Sequence, residues 1–155
     1  MSTLYETDFY SWTQEQADSL RRAAAARPND PAGLDWEHLA QEVWELGLSL
    51  EMELYHRYVV LVCHLLKWQA QPRGRGGSWR GTIKEQRYRI TRLLRKNPGL
   101  KPVRAAEFAD AYPEARERAL DESSLPDDSL PVACPFTLEQ VEDQAFWPGP
   151  PSVDP

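Results

Sequence analysis

The stretch Asp35–Gln69, DWEHLAQEVWELGLSLEMELYHRYVVLVCHLLKWQ, decides the fold. Apolar side chains fall at Trp36, Leu39, Val43, Leu46, Leu50, Leu54, Tyr58, Leu61, Leu65 and Trp68, in steps of three and four. With about 3.6 residues per turn, those steps return to one face, which predicts a long amphipathic helix. No proline interrupts it. At about 1.5 Å per residue it would be roughly 50 Å long. Gly47 sits inside it, where glycine costs about 1 kcal/mol relative to alanine. A second helix approaching closely would account for it.

Working outward, Pro72 with Gly74, Gly76 and Gly77 forms a turn. Ser78 is expected to cap the next helix, with Trp79, Ile83, Gln86, Ile90 and Leu93 or Leu94 facing inward. NPGLKP at 97–102 ends it. A further helix carries a narrow stripe of Ala105, Phe108, Tyr112, Ala115 and Ala119. Pro113 lacks an N–H and disfavours helical geometry at Tyr112, so a kink or break is expected there. On the N-terminal side, Thr13 with Gln16 has the form of a capping box. That helix stops at Pro28, and Asp30 or Asp35 caps the long one. After Glu122, SSLPDDSLPVACP reads as an extended connector. TLEQ at 137–140 opens a short helix from Leu138 to about Gln144, and Phe136, Phe146 and Trp147 can pack back onto the bundle.

The expected fold is all-α: an elongated bundle of four main helices, over about 13–27, 35–69, 78–97 and 102–122, with a short C-terminal helix. The long helix pairs antiparallel with the one from Ser78. Residues 1–147 form one helical domain and 148–155 a mobile tail.

The 155 residues carry a net charge of −6, with 27% charged and 41% hydrophobic residues, an ordinary soluble composition. The longest apolar run, Tyr58–Leu66, is far short of the ~20 residues that span a bilayer. MSTLYETDFYSW has no basic start and no apolar core, so no signal peptide is read. Cys63 and Cys134 give neither a disulfide framework nor zinc spacing, and a cytoplasmic protein is expected. The charge is partitioned. Residues 1–66 hold 11 acids and 4 bases, residues 67–104 hold 12 bases and only Glu85 as an acid, and residues 105–155 hold 12 acids and 2 bases. Such a block attracts an anionic partner or docks on the chain's own acidic flanks. The second reading leads, because the acids outnumber the bases and lie on both sides.

LYETDFYSW, LAQEVWELG, HLLKWQAQP, SWRGTIKEQRYRI, NPGL and CPFTLEQVEDQAFWP occur in that order. Together they resemble the bacterial family catalogued as domain of unknown function 29, over roughly residues 4–148. The resemblance implies an all-helical bundle and no particular activity, ligand or cofactor. Pro113 departs from it, standing where members often continue a plain helix.

Several residues could carry chemistry. His64 lies beside the seam, and an antiparallel turn at 72–77 brings it toward Glu85. Such a pair is an acid–base couple or a pair of metal ligands, or a hydrogen-bonded core pair, which is the preferred reading. His38, Glu42 and Glu45 share a helix face, and the two glutamates are expected to pair with Arg87 or Arg80 rather than bind metal. Glu53 and His56 have the Glu-x-x-His spacing of a di-metal bundle, but all three histidines lie on one helix, which cannot surround a metal. No cofactor is expected. Arg73, Arg75, Arg80, Lys84 and Arg92 are the anion-binding candidates, with Trp68 and Trp79 as possible stacking platforms. Both tryptophans fall on helix seams, which favours the core.

The leading expectation is a non-catalytic module acting through protein contacts, including self-association, because a helix this long leaves seam uncovered by its shorter neighbours. The alternatives are an anion or nucleic-acid binder using 67–104, and a metal-dependent or acid/base enzyme using His64 and the Glu42/Glu45 face. No membrane partner is expected.

Overall fold

The structure, a computed structural model, describes residues 3–27 and 31–149. Helices α1 Leu4–Thr7, α2 Phe9–Ala26, α3 Trp36–Ala70, α4 Gly77–Lys96, α5 Arg104–Ser123 and α6 Leu138–Glu142 follow in order. Short 3-10 turns, Pro72–Gly74 and Pro98–Val103, join α3 to α4 and α4 to α5. No strand occurs among the described residues. Four long helices and a short C-terminal one are the all-α fold that the periodicity predicts. The chain groups into two compact units, Met1–Glu53 with Leu94–Val103, and Leu54–Leu93 with the chain from Arg104 onward.

In the first unit, α2 begins at Phe9 rather than Thr13. Asp8 is the cap: its carboxylate accepts the Ser11 N–H at 3.2 Å and the Ser11 hydroxyl at 2.7 Å. Thr13 is fully buried and donates its hydroxyl back to the Tyr10 carbonyl at 2.6 Å, so the expected Thr13–Gln16 box does not form. Gly47 of α3 is the contact point with α2. A Cβ there would stand 2.5 Å from Thr13 Oγ1 and 2.6 Å from Gln14 Nε2. Gly99 is similarly close, since its Cβ would lie 2.1 Å from Ser11 Oγ. The Tyr10 N–H donates to Asn97 Oδ1 at 3.2 Å, tying α2 to the end of α4. Asp35 caps α3 by accepting the His38 N–H at 3.2 Å; Asp30, the other candidate, lies outside the described residues.

In the second unit, the C-terminal half of α3 is the core. Leu54, Tyr58, Leu61 and Leu65 are fully buried, together with Ile83 of α4 and Ala111, Ala115 and Ala119 of α5. Tyr58 meets Phe108 edge to face at 5.7 Å. Of the expected α5 stripe, Phe108, Tyr112, Ala115 and Ala119 are buried and Ala105 is exposed, while Ala111, outside the stripe, is buried as well.

Two expectations need correction. α4 starts at Gly77, so Ser78 falls inside the first turn, and the Gly76 carbonyl accepts the Arg80 N–H at 3.0 Å. Pro113 does not break α5, which is helical from Arg104 to Ser123. Its missing N–H leaves the Ala109 carbonyl without its helical partner, but Pro113 and Ala109 are both exposed, so water can serve that carbonyl.

The Thr137–Gln140 capping box forms with both bonds, at 3.0 and 3.1 Å, and α6 ends at Glu142, before Gln144. Phe136 and Phe146 meet at 5.8 Å, and Trp147 lies 4.7 Å from Trp68, so the C-terminal segment packs back onto the second unit. Pro148 is buried. Residues 150–155 of the expected tail lie outside the described residues.

Candidate functional site

Three side-chain groupings hold the residues that the sequence singles out. The first surrounds Arg87 of α4, only 1% exposed. Its Nε donates to the Val141 carbonyl at 2.8 Å and one Nη to the Phe146 carbonyl at 2.7 Å. The other Nη is buried with no hydrogen-bond partner. Arg80 and Arg87 lie over the Trp147 ring at 5.4 and 5.5 Å. Arg75 lies over Trp68 at 5.4 Å and donates Nε to the Trp68 carbonyl at 2.7 Å. Burial lowers the Arg87 pKa, opposed by the charge of Asp143. An arginine nevertheless stays cationic, so this is a buried charge solvated by backbone carbonyls and aromatic faces. Arg87, expected to meet Glu42 or Glu45, gives its hydrogen bonds to backbone carbonyls of its own unit. A planar guanidinium fork fits the carbonyls at the end of α6, and Trp147 takes the flat face.

The second grouping centres on Glu122 of α5. Lys67, 7% exposed, donates to its carboxylate at 2.8 Å. Arg118 lies 3.6 Å away on the other oxygen, and the Cys63 thiol points at the first at 3.7 Å. The Lys67 hydrogen bond and the charges of Lys67 and Arg118 hold the Glu122 carboxyl below the usual range. His64 borders this cluster. Burial lowers its pKa, and its Nδ1 lies 2.8 Å from the Val60 carbonyl, the place of an N–H donor. Burial therefore favours the neutral ring, with the Val60 contact favouring its proton on Nδ1. Burial and the charge of Glu122 push the Cys63 thiol up to about 12, which removes it as a nucleophile at neutral pH.

The expected His64–Glu85 pair is absent: Glu85 is exposed and accepts from Arg89 at 2.9 Å, one turn along α4. Glu42 and Glu45 are also exposed, and Glu45 accepts from Gln41 at 2.9 Å. Among the described residues, no group of three or more His, Cys, Asp or Glu side chains is placed to hold a metal ion. Lys67 and Glu122 escaped the sequence reading because 55 residues separate them, and the i,i+4 spacing of Arg118 and Glu122 marks only an ordinary helix-surface pair.

The third grouping is a surface. The α3 seam, buried from Leu54 to Leu65, is open in the first unit. Leu39 is 41% and Leu46 49% exposed, and Val43 and Leu50 are half-buried between them. Of the anion-binding candidates, Arg73, Lys84 and Arg92 are exposed and make no ion pair among the described residues. Lys84 and Arg92 flank Tyr88, which is 63% exposed. Trp79 is half-buried, with Lys67 4.8 Å above its ring and Gly74 against it, where a Cβ would lie 2.4 Å from the ring. No described helix is long and apolar enough to cross a membrane.

The fold is similar to that of a solved alpha-helical protein of unknown function from Rhodospirillum rubrum. The likeness covers 94% of this chain and 93% of that one, with a TM-score of 0.72 at 24% sequence identity. No curated protein matches the chain. The family model described as Domain of unknown function DUF29 matches residues 4–147, so the chain belongs to that family.

Proposed function

We propose that this protein is a non-catalytic helical module that acts through protein contacts made on the N-terminal half of α3. The observation that carries this reading is the exposure of Leu39 and Leu46 on a seam whose continuation, Leu54 to Leu65, is fully buried. Leucines repeated at helical spacing on an open face favour burial by another chain, at about 25 cal/mol for each Å² of apolar surface removed from water. The chemistry around Glu122 supports it from the other side. The thiol is held protonated, the lysine is tied to a carboxylate, and the neutral His64 makes a backbone bond, the pattern of a satisfied core cluster.

A photocrosslinking amino acid placed at Leu46 tests the reading in cells that produce the protein. The expected result is a discrete protein adduct at Leu46 and none from the same group at the exposed position Glu117. Equal labelling at both positions, or no adduct at Leu46, overturns it.

A further inference from the structure

We infer that the chain docked on the open α3 seam is a second copy of this protein, presenting the Lys84–Tyr88–Arg92 ridge of its α4; this rests on the protein-contact reading above. At about 100° per residue, Leu39, Val43, Leu46 and Leu50 fall within a stripe about 60° wide, and Glu42 and Glu53 border it on one side. From Trp36 to Glu53 the helix carries five glutamates and no lysine or arginine. The occupant must therefore bring apolar surface at its centre and positive charge beside it.

The ridge on α4 has that composition. Lys84, Tyr88 and Arg92 follow at intervals of four residues and are all exposed. Tyr88, at 63%, is the most exposed aromatic side chain of the described helices. A tyrosine at the centre of a contact buries a large, stiff ring and keeps its hydroxyl at the wet edge, which suits a helix–helix interface. Neither Lys84 nor Arg92 has an acid partner among the described residues, so no described acid competes for them. The spacing also fits. Lys84 and Arg92 are eight residues apart, about 12 Å along a helix, and Glu42 and Glu53 are eleven apart, about 16 Å. Lysine and arginine side chains are long enough to make up the difference. Each copy carries both surfaces, so copies pair reciprocally or join head to tail.

Light scattering of the full chain from about 1 to 200 µM, at low and high salt, tests this. The expected result is an average mass that rises with concentration, with association weakened about tenfold or more at high salt. Lys84→Glu with Arg92→Glu removes association, and so does Glu42→Arg with Glu53→Arg. Mixing the two charge-reversed variants restores a complex, while either alone stays monomeric. Circular dichroism confirms that both variants are folded. A monomer at every concentration overturns the inference, yet leaves the protein-contact reading standing if Leu46 still crosslinks to a different protein. Association that ignores both reversals overturns it as well. Loss of binding to a heparin column in the Lys84/Arg92 variant with unchanged mass would assign the ridge to a polyanion, and the inference falls.

Discussion

Arg87 Nε and the Val141 carbonyl stand 2.8 Å apart, and that bond lets a helix surface hold the C-terminal segment without a carboxylate. The second bond, to the Phe146 carbonyl, places Trp147 so that its ring receives both Arg80 and Arg87. The buried cation and the segment that covers it depend on each other. Removing either leaves the other badly solvated, because a buried hydrogen bond to a charged group is worth about 1.5–3 kcal/mol.

Arg87→Lys is expected to destabilise the protein by about 2–4 kcal/mol, since an ammonium cannot reproduce the fork that reaches two carbonyls. Trp147→Ala should cost about 2 kcal/mol through lost ring and cation contacts. Combined, the two should fall short of additivity by about 1 kcal/mol. Urea unfolding of the two single variants and the double variant measures all three; strict additivity would uncouple the segment from Arg87.

Gly47→Ala and Gly81→Ala should move stability in opposite directions. Both glycines lie within helices. A Cβ at Gly81 meets nothing within 4 Å, so alanine should stabilise by about 0.5–1 kcal/mol. At Gly47 it would press on Thr13 Oγ1, and Thr13 is itself buried and bonded to Tyr10, so alanine should destabilise by about 1–3 kcal/mol. Thermal unfolding of the two variants decides.

His64 and His38 should titrate on opposite sides of the ordinary value of 6.5. Burial lowers the pKa of His64, and the hydrogen bond to Asp35 raises that of His38. A folded pKa below the unfolded one means that the unfolded chain binds the proton more readily. The stability contributed by neutral His64 is thus complete above about pH 6.5 and declines as pH falls through that value. Histidine ring resonances followed by NMR should show the two midpoints apart, and His64→Gln should flatten the stability loss just below pH 6.5. A His64 midpoint at or above 6.5 would contradict its buried placement.

Glu122 should set part of the acid limit. Its folded pKa lies below the ordinary carboxyl value of 4.5, so its pairing with Lys67 stabilises the fold above that pH and is lost as pH falls through the folded pKa. Glu122→Gln should lower the melting temperature at neutral pH and reduce the further loss between roughly pH 5 and 3. Because the Glu122 side chain is 39% exposed, solvent screening keeps the effect modest. Parallel melting curves for the two proteins across that range would exclude the pair as a contributor.

How much of this was legible in the sequence differs by residue. The α3 periodicity, the Thr137–Gln140 capping box, the turn at Pro72 and the α5 stripe apart from Ala105 are readable, because each is a local pattern whose period or hydrogen bond acts within a few residues. Thr13 misled because a threonine hydroxyl serves a cap or a carbonyl one turn back equally well, and only the nearness of Gly47 buries it in the second role. Pro113 misled because the cost of a missing N–H depends on whether the orphaned carbonyl faces water.

The partners of the charged residues lay beyond sequence. Glu85 and His64 sit at plausible distances from the same turn, yet a helix can rotate about its axis without changing any such count. Rotation gave Glu85 to Arg89 and left His64 beside Glu122. The sequence by itself determined helices, their order and most of their ends, since backbone hydrogen bonding and hydrophobic period are local. Only the tertiary structure decided which half of the long seam is covered, which cation is buried and which acid meets Lys67, because those outcomes depend on groups brought together from dozens of residues away.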